Sequence, residues 1–249
     1  MPPRVWNHPP PAADGREPYG DQASQFVDFH RPASGGPAAL AIMIHGGFWR
    51  VRFGLEHAAQ VCGALSAAGF AAANLEYRRV GEPGGGWPGT LQDVKSGVAF
   101  ARARAAQYGG DSARTVVLGH SAGGHLALWV AAEFHDLARV IGLGPVANLE
   151  LAFTLALSDG AVVDFLGGTP HEFPERYAEA DPARPTPVPR VLIHGDADDI
   201  VPVELTRKFA APARRIEIPG ADHFAVIDPQ HTAWQIVLAE LKHEPNGGG

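Results

Sequence analysis

The chain has 249 residues, 45% of them hydrophobic and only 19% charged, with 20 basic against 27 acidic residues and a formal net charge of −7. That balance supplies apolar mass for one sizeable core and argues against fibrous and coiled-coil classes, while scattered basic residues in an acidic chain argue against nucleic acid or an anionic membrane as partner. The single cysteine, Cys62, rules out an internal disulfide, and apolar runs well short of a membrane span make the cytoplasm the expected location.

In chain order, the Pro-rich start through about residue 20 reads as a surface segment, and Gln25 to His30 alternates as a strand. Residues 38–45, AALAIMIH, are apolar enough for a strand covered on both faces. The strand runs into His45-Gly46-Gly47-Phe48-Trp49, where a glycine pair lets another group approach bare amides. A helix from Leu55 to Ala68, a strand over 70–77, a turn-rich stretch and a helix from Thr90 to Tyr108 follow. Next come a strand over 114–120, a helix from Ala122 to Phe134 and a strand over 138–144. The rhythm breaks between Val146 and Thr186, which reads as a flap or insertion over the C-terminal edge of the sheet. Strand 189–195, helix 202–210, strand 214–220 and helix 232–243 complete the pattern, with residues 245–249 as a flexible tail. This alternation predicts one α/β domain over residues 1–249, with a mostly parallel sheet, helices on both faces and a small irregular flap.

Gly119-His120-Ser121-Ala122-Gly123 is a Gly-x-Ser-x-Gly sequence placed between an apolar strand and a helix. There the serine sits on a sharp turn whose neighbours must be glycine, because larger side chains would collide with the adjoining backbone. Its hydroxyl then stands at a helix N-terminus that favours developing negative charge. A serine nucleophile needs a base held by a third group. The loop after strand 189–195 offers Asp196, Asp198 and Asp199; Asp198 is the chosen acid, with Asp196 as runner-up. Of His223, His231 and His243, only His223 lies in the loop just past the last strand, with Phe224 beside it, and it is the expected base. The order nucleophile, acid, base is the one expected on such a sheet.

The oxyanion hole then falls to the amides of Gly46, Gly47, Phe48 and Ala122, with His45 supporting the loop. Phe48, Trp49, His125 and Phe224 are the expected substrate-pocket residues, the aromatics making a cramped acyl pocket. Although there are 12 histidines, none shows the His-Glu-x-x-His spacing, so no metal and no organic cofactor is expected. His120 and His125 are expected to be structural, with His125 also reaching the pocket. The expected partner is a small-molecule substrate, and a homodimer is compatible with the sequence.

These motifs resemble the α/β-hydrolase superfamily over nearly the whole chain. More narrowly, HGGFW and GHSAGGHLA are similar to the signatures of the arylformamidase (kynurenine formamidase) family, and DHF around His223 fits as well. The resemblance implies Ser121 as nucleophile, Asp198 as acid, His223 as base, and hydrolysis of N-formyl-kynurenine to formate and kynurenine in tryptophan breakdown. The acid loop HGDADDIVP looks more like the general esterase form, which makes a short-acyl carboxylesterase the alternative.

Overall fold

A computed structural model of the chain describes residue 9 and residues 11–243, so the expected tail at 245–249 lies outside the described residues. Eight strands form one sheet: β1 Gly15–Pro18, β2 Phe26–His30, β3 Ala38–Ile44, β4 Ala71–Leu75, β5 Gly110–His120, β6 Arg139–Leu143, β7 Arg190–Gly195 and β8 Arg214–Ile218. Their order across the sheet is β1-β2-β4-β3-β5-β6-β7-β8, antiparallel at β1–β2 and β2–β4 and parallel from β4 onward. Eight α-helices accompany them: α1 Glu56–Ala67, α2 Gly89–Arg104, α3 Ala122–Val130, α4 Leu149–Thr154, α5 Leu157–Leu166, α6 Pro174–Ala180, α7 Glu204–Arg207 and α8 Ala233–Lys242.

The unbroken apolarity of β3 has a direct cause. Successive side chains of a strand point to opposite faces. Leu40, Ile42 and Ile44 join one core with Val94 and Val98 of α2 and Leu126 and Val130 of α3. Ala41 and Met43 join the other core, with Val61, Cys62 and Leu65 of α1 and Trp234 and Val237 of α8. Both faces are therefore covered and no position can be polar. Cys62 is completely buried, which pushes its thiol pKa up and leaves it a core residue. Among the described residues no helix is long and apolar enough to cross a membrane.

Three expectations need correction. Residues 15–18 are an edge strand rather than a loose surface segment, held by a two-pronged Arg16–Asp28 ion pair with bonds of 2.6 and 2.7 Å. The helix expected over 202–210 shrinks to Glu204–Arg207, and the one expected to reach Tyr108 passes into a 3-10 turn at Ala105–Tyr108. In both cases a short amphipathic pattern proves compatible with a tighter turn once neighbouring strands set the chain's direction. Residues 146–186 fold as α4, α5 and α6 between β6 and β7. Left-handed backbone at Ala156, Ser158, Asp159 and Gly160 separates α4 from the regular part of α5.

Candidate active site

Ser121 follows β5 directly and precedes α3, with φ 58° and ψ −121°, a conformation that L-residues resist. The turn tolerates it because the backbones nearby pass almost in contact. A Cβ on Gly119 would lie 2.1 Å from the Gly123 carbonyl oxygen, and one on Gly123 would lie 2.2 Å from the Ile44 oxygen. The Ser121 N–H donates to Leu143 O (2.9 Å), while Ser121 O accepts from His125 N (3.2 Å) and Val146 N (3.1 Å), tying the turn to the end of β6.

The loop after β3 lies against this turn. A Cβ on Gly46 would come within 2.7 Å of His120 O and 2.9 Å of Ser121 Cβ, and Gly47, Phe48 and Trp49 all have positive φ. Amides of Gly47 and Phe48 make no hydrogen bond among the described residues. The Gly46 amide is a correction: it donates to His57 Nε2 at 3.2 Å, so it is already used and its residue serves by close packing. Burial pushes His57 down to about 3, keeping the ring neutral and able to accept that bond.

Beneath the loop is a polar network for which sequence reasoning names only His45. His45 Nε2 bonds Glu76 Oε1 at 2.7 Å, and Tyr77 stacks on the His45 ring at 4.4 Å and donates its hydroxyl to His45 O at 2.8 Å. Glu76 also accepts from Leu55 N and Tyr77 N and pairs with Arg79 at 3.2 Å. Burial raises the Glu76 pKa, but His45 and Arg79 outweigh it and hold the carboxyl below its ordinary range. The missed signal was LEYRR, a carboxylate followed by two arginines at the end of a buried strand. His57, buried in the first turn of α1, carries no motif signal.

Across the site, His223 Nδ1 and Asp198 Oδ2 are 2.6 Å apart, both side chains being nearly inaccessible. Asp198 is thus the carboxylate that faces His223, whereas Asp196 accepts the Gly220 N–H at 2.6 Å and Asp199 is exposed. Burial raises the Asp198 pKa, but hydrogen bonds from His194 and His223 overcome this and hold it well below the carboxylate range. A Cβ on Gly144, next to the Leu143 that receives the Ser121 amide, would sit 3.3 Å from Asp198 Oδ2 and 3.4 Å from His223 Nδ1. Serine and imidazole–carboxylate pair therefore flank the Leu143-Gly144 step at the end of β6. No Ser121–His223 hydrogen bond is formed among the described residues.

His120 Nε2 donates to His223 O at 2.9 Å and its ring lies 4.5 Å from that of His223, so His120 pins the loop bearing His223. Phe224 is half-buried, edge-on to His223 at 5.2 Å. Phe48 is half-buried as well. Trp49 and His125, both expected in the pocket, are completely buried. Trp49 stacks on Phe165 of α5 at 4.7 Å, and His125 donates from Nε2 to Ala180 O of α6 at 2.8 Å, so they back the site and anchor the flap rather than line an open wall. His231 receives the Ala233 N–H at the start of α8, and His243 ends that helix. Among the described residues no group of three or more His, Cys, Asp and Glu side chains is arranged to hold a metal ion.

Comparison with known proteins adds to this geometry. The BD-FAE family model matches residues 27–139. Esterase LipC of Mycobacterium tuberculosis is 30% identical over 256 residues, covering 86% of this chain and 60% of LipC, and esterase LipQ of the same organism is 26% identical, covering 83% and 56%. The chain thus spans less than two thirds of either relative's length. Among solved structures, esterase B from Lactobacillus Rhamnosis superposes with a TM-score of 0.75 at 20% identity, covering 94% of this chain and 86% of that one, a likeness of fold. Both curated relatives carry esterase names. With its mostly parallel sheet covered by helices and this likeness to solved esterases, the chain has the α/β-hydrolase fold.

Proposed function

We propose that the protein is a serine carboxylesterase acting on small short-acyl esters. The observation that carries the reading is the 2.6 Å His223–Asp198 bond, placed across the Leu143-Gly144 step at the end of β6 from a serine on a strained strand-to-helix turn. In this reading His223 Nε2 takes the Ser121 proton as Oγ attacks the ester carbonyl, and Asp198 holds the ring and balances its charge. The amides of Gly47, Phe48 and Ala122 receive the oxyanion. His223 returns the proton to the leaving alcohol, and water then releases the acyl group by the same route in reverse. A serine–histidine contact that is long in the free enzyme and closes on substrate is common in such sites. The packing of Trp49, Phe165 and His125 on one another, between the residue next to Phe48, the helix that follows Ser121 and the 146–186 segment, supports a short acyl group.

The test is a p-nitrophenyl ester series from acetate to dodecanoate beside N-formyl-kynurenine, with fluorophosphonate labelling of Ser121. We expect acetate or propionate to be the best substrate, labelling to stop turnover, and Ser121→Ala to lose at least ~10³-fold in kcat while folding normally. Full activity in Ser121→Ala would end the proposal. Faster cleavage of N-formyl-kynurenine than of the acetate would restore the arylformamidase reading, which rests on the HGGFW and GHSAGGHLA resemblance.

A further inference from the structure

The carboxylate facing His223 serves a second imidazole. His194, in β7, is completely buried. Its Nε2 lies 2.8 Å from Val201 O and 3.1 Å from Asp198 Oδ2. Two acceptors at one nitrogen place the proton there, so Nδ1, 2.7 Å from Thr206 Oγ1, accepts the threonine hydroxyl. Thr206, on α7, is also completely buried, and the ring is fixed from both edges. Asp198 Oδ1 is taken by the N–H groups of Ile200 (3.0 Å) and Val201 (2.7 Å), and Oδ2 is shared between His223 and His194.

Neither His194 nor Thr206 has a path to a substrate. What they reach is the oxygen that sets how strongly His223 holds a proton. A donor on a carboxylate oxygen draws off charge that would otherwise stabilise the neighbouring imidazolium. A base too strongly supported would stay protonated at working pH, and an acid free to rotate would let the ring turn. We propose that His194, oriented by Thr206, is a positioning residue that locks the Asp198 rotamer and lowers the proton affinity Asp198 lends to His223. The proposal rests on reading Ser121, His223 and Asp198 as the catalytic set.

The test uses the full chain carrying His194→Phe, which keeps the ring shape without a donor, His194→Gln, which keeps a donor, and Thr206→Val. Two readouts are taken: the acidic limb of kcat/KM against pH with p-nitrophenyl acetate, and the titration of the His223 imidazole by NMR, which needs no turnover. His194→Phe should move both upward by about half a pH unit and lower kcat about tenfold, with KM within about twofold of the parent. His194→Gln should bring the titration back toward the parent, and Thr206→Val should shift it upward by less. A merely structural role would lower stability and leave both pH readouts in place. His223 titrating at the parent value in a folded His194→Phe protein, or shifting equally in His194→Gln, overturns the proposal. Should His194→Phe fail to fold, an unshifted Thr206→Val titration overturns it in the same way. An absence of ester hydrolysis would count against the proposed function, while the NMR titration still decides this inference.

Discussion

At the end of β5, Ser121 is held by backbone: glycines at 119 and 123, each with a carbonyl oxygen within about 2.2 Å of where a side chain would begin. At the ends of β7 and β8, Asp198 and His223 are held through a hydrogen-bond network instead: His194, braced by Thr206, and the N–H groups of Ile200 and Val201 bond Asp198, and His120 of β5 bonds the His223 carbonyl. The first arrangement is steric: its glycines lie within five consecutive residues, although part of the crowding comes from the end of β3. The second is a network, in which each member depends on partners the chain brings together only on folding. Backbone packing at one pole positions Ser121, and hydrogen bonding at the other positions His223.

The comparison can be broken at either pole. On the side-chain pole, Asp198→Asn should be the most damaging to turnover, lowering kcat about 10⁴-fold with little loss of fold, since the amide favours the wrong His223 tautomer; steady-state kinetics at constant pH would show it. On the backbone pole, Gly123→Ala should act on folding: with backbone oxygens 2.2 and 2.3 Å from the new methyl, a loss above ~3 kcal/mol or no soluble protein is expected, read by denaturant unfolding. A Gly123→Ala protein as stable as the parent would mean that the turn relaxes and is not sterically set.

The buried histidines sharpen the contrast through pH. Burial lowers His57 to about 3, His125 to about 4, and His120 well below its ordinary value. Such groups stay neutral in the folded state, while the unfolded chain takes up their protons below about pH 6.5. Stability is therefore fully present above pH 6.5 and falls as pH drops toward 4, by roughly 1.4 kcal/mol per pH unit for each group. Asp198 adds a separate loss only below about pH 4, where its unfolded form protonates. His125→Gln should flatten the slope between pH 6 and 5, measured by urea unfolding at several pH values. The same slope in parent and variant would remove His125 from the account.

Glu76→Gln tests the oxyanion loop, which draws on both means. It should cost about 1–3 kcal/mol, because Arg79 and His45 lose their common acceptor charge, and should lower kcat more than it raises KM. The smallest effect belongs to Arg50→Ala, whose partner Asp164 is half exposed: about 0.5 kcal/mol or less in thermal unfolding, although the flap loses its 2.8 Å tie to the oxyanion loop.

What could be read from the chain alone follows this division. Alternating β and α segments, both-face burial of β3 and the Gly-x-Ser-x-Gly turn leave their marks within short stretches of chain, as periodicity, unbroken apolarity and glycine placement, even where the partners that impose them are distant. Choosing among Asp196, Asp198 and Asp199 was different: local sequence favours Asp198 over Asp196 only by its place before the apolar Ile200-Val201-Pro202, and the approach of the loop bearing His223 is what separates the three in the fold. The Gly46 amide looked free until α1 brought His57 to it, and Trp49 looked open until α5 laid Phe165 on its face. Strand order, the partner of each buried polar atom and the identity of the walls are long-range properties. They arise when distant segments compete for the same hydrogen bonds and the same volume, and the tertiary structure alone decides that competition.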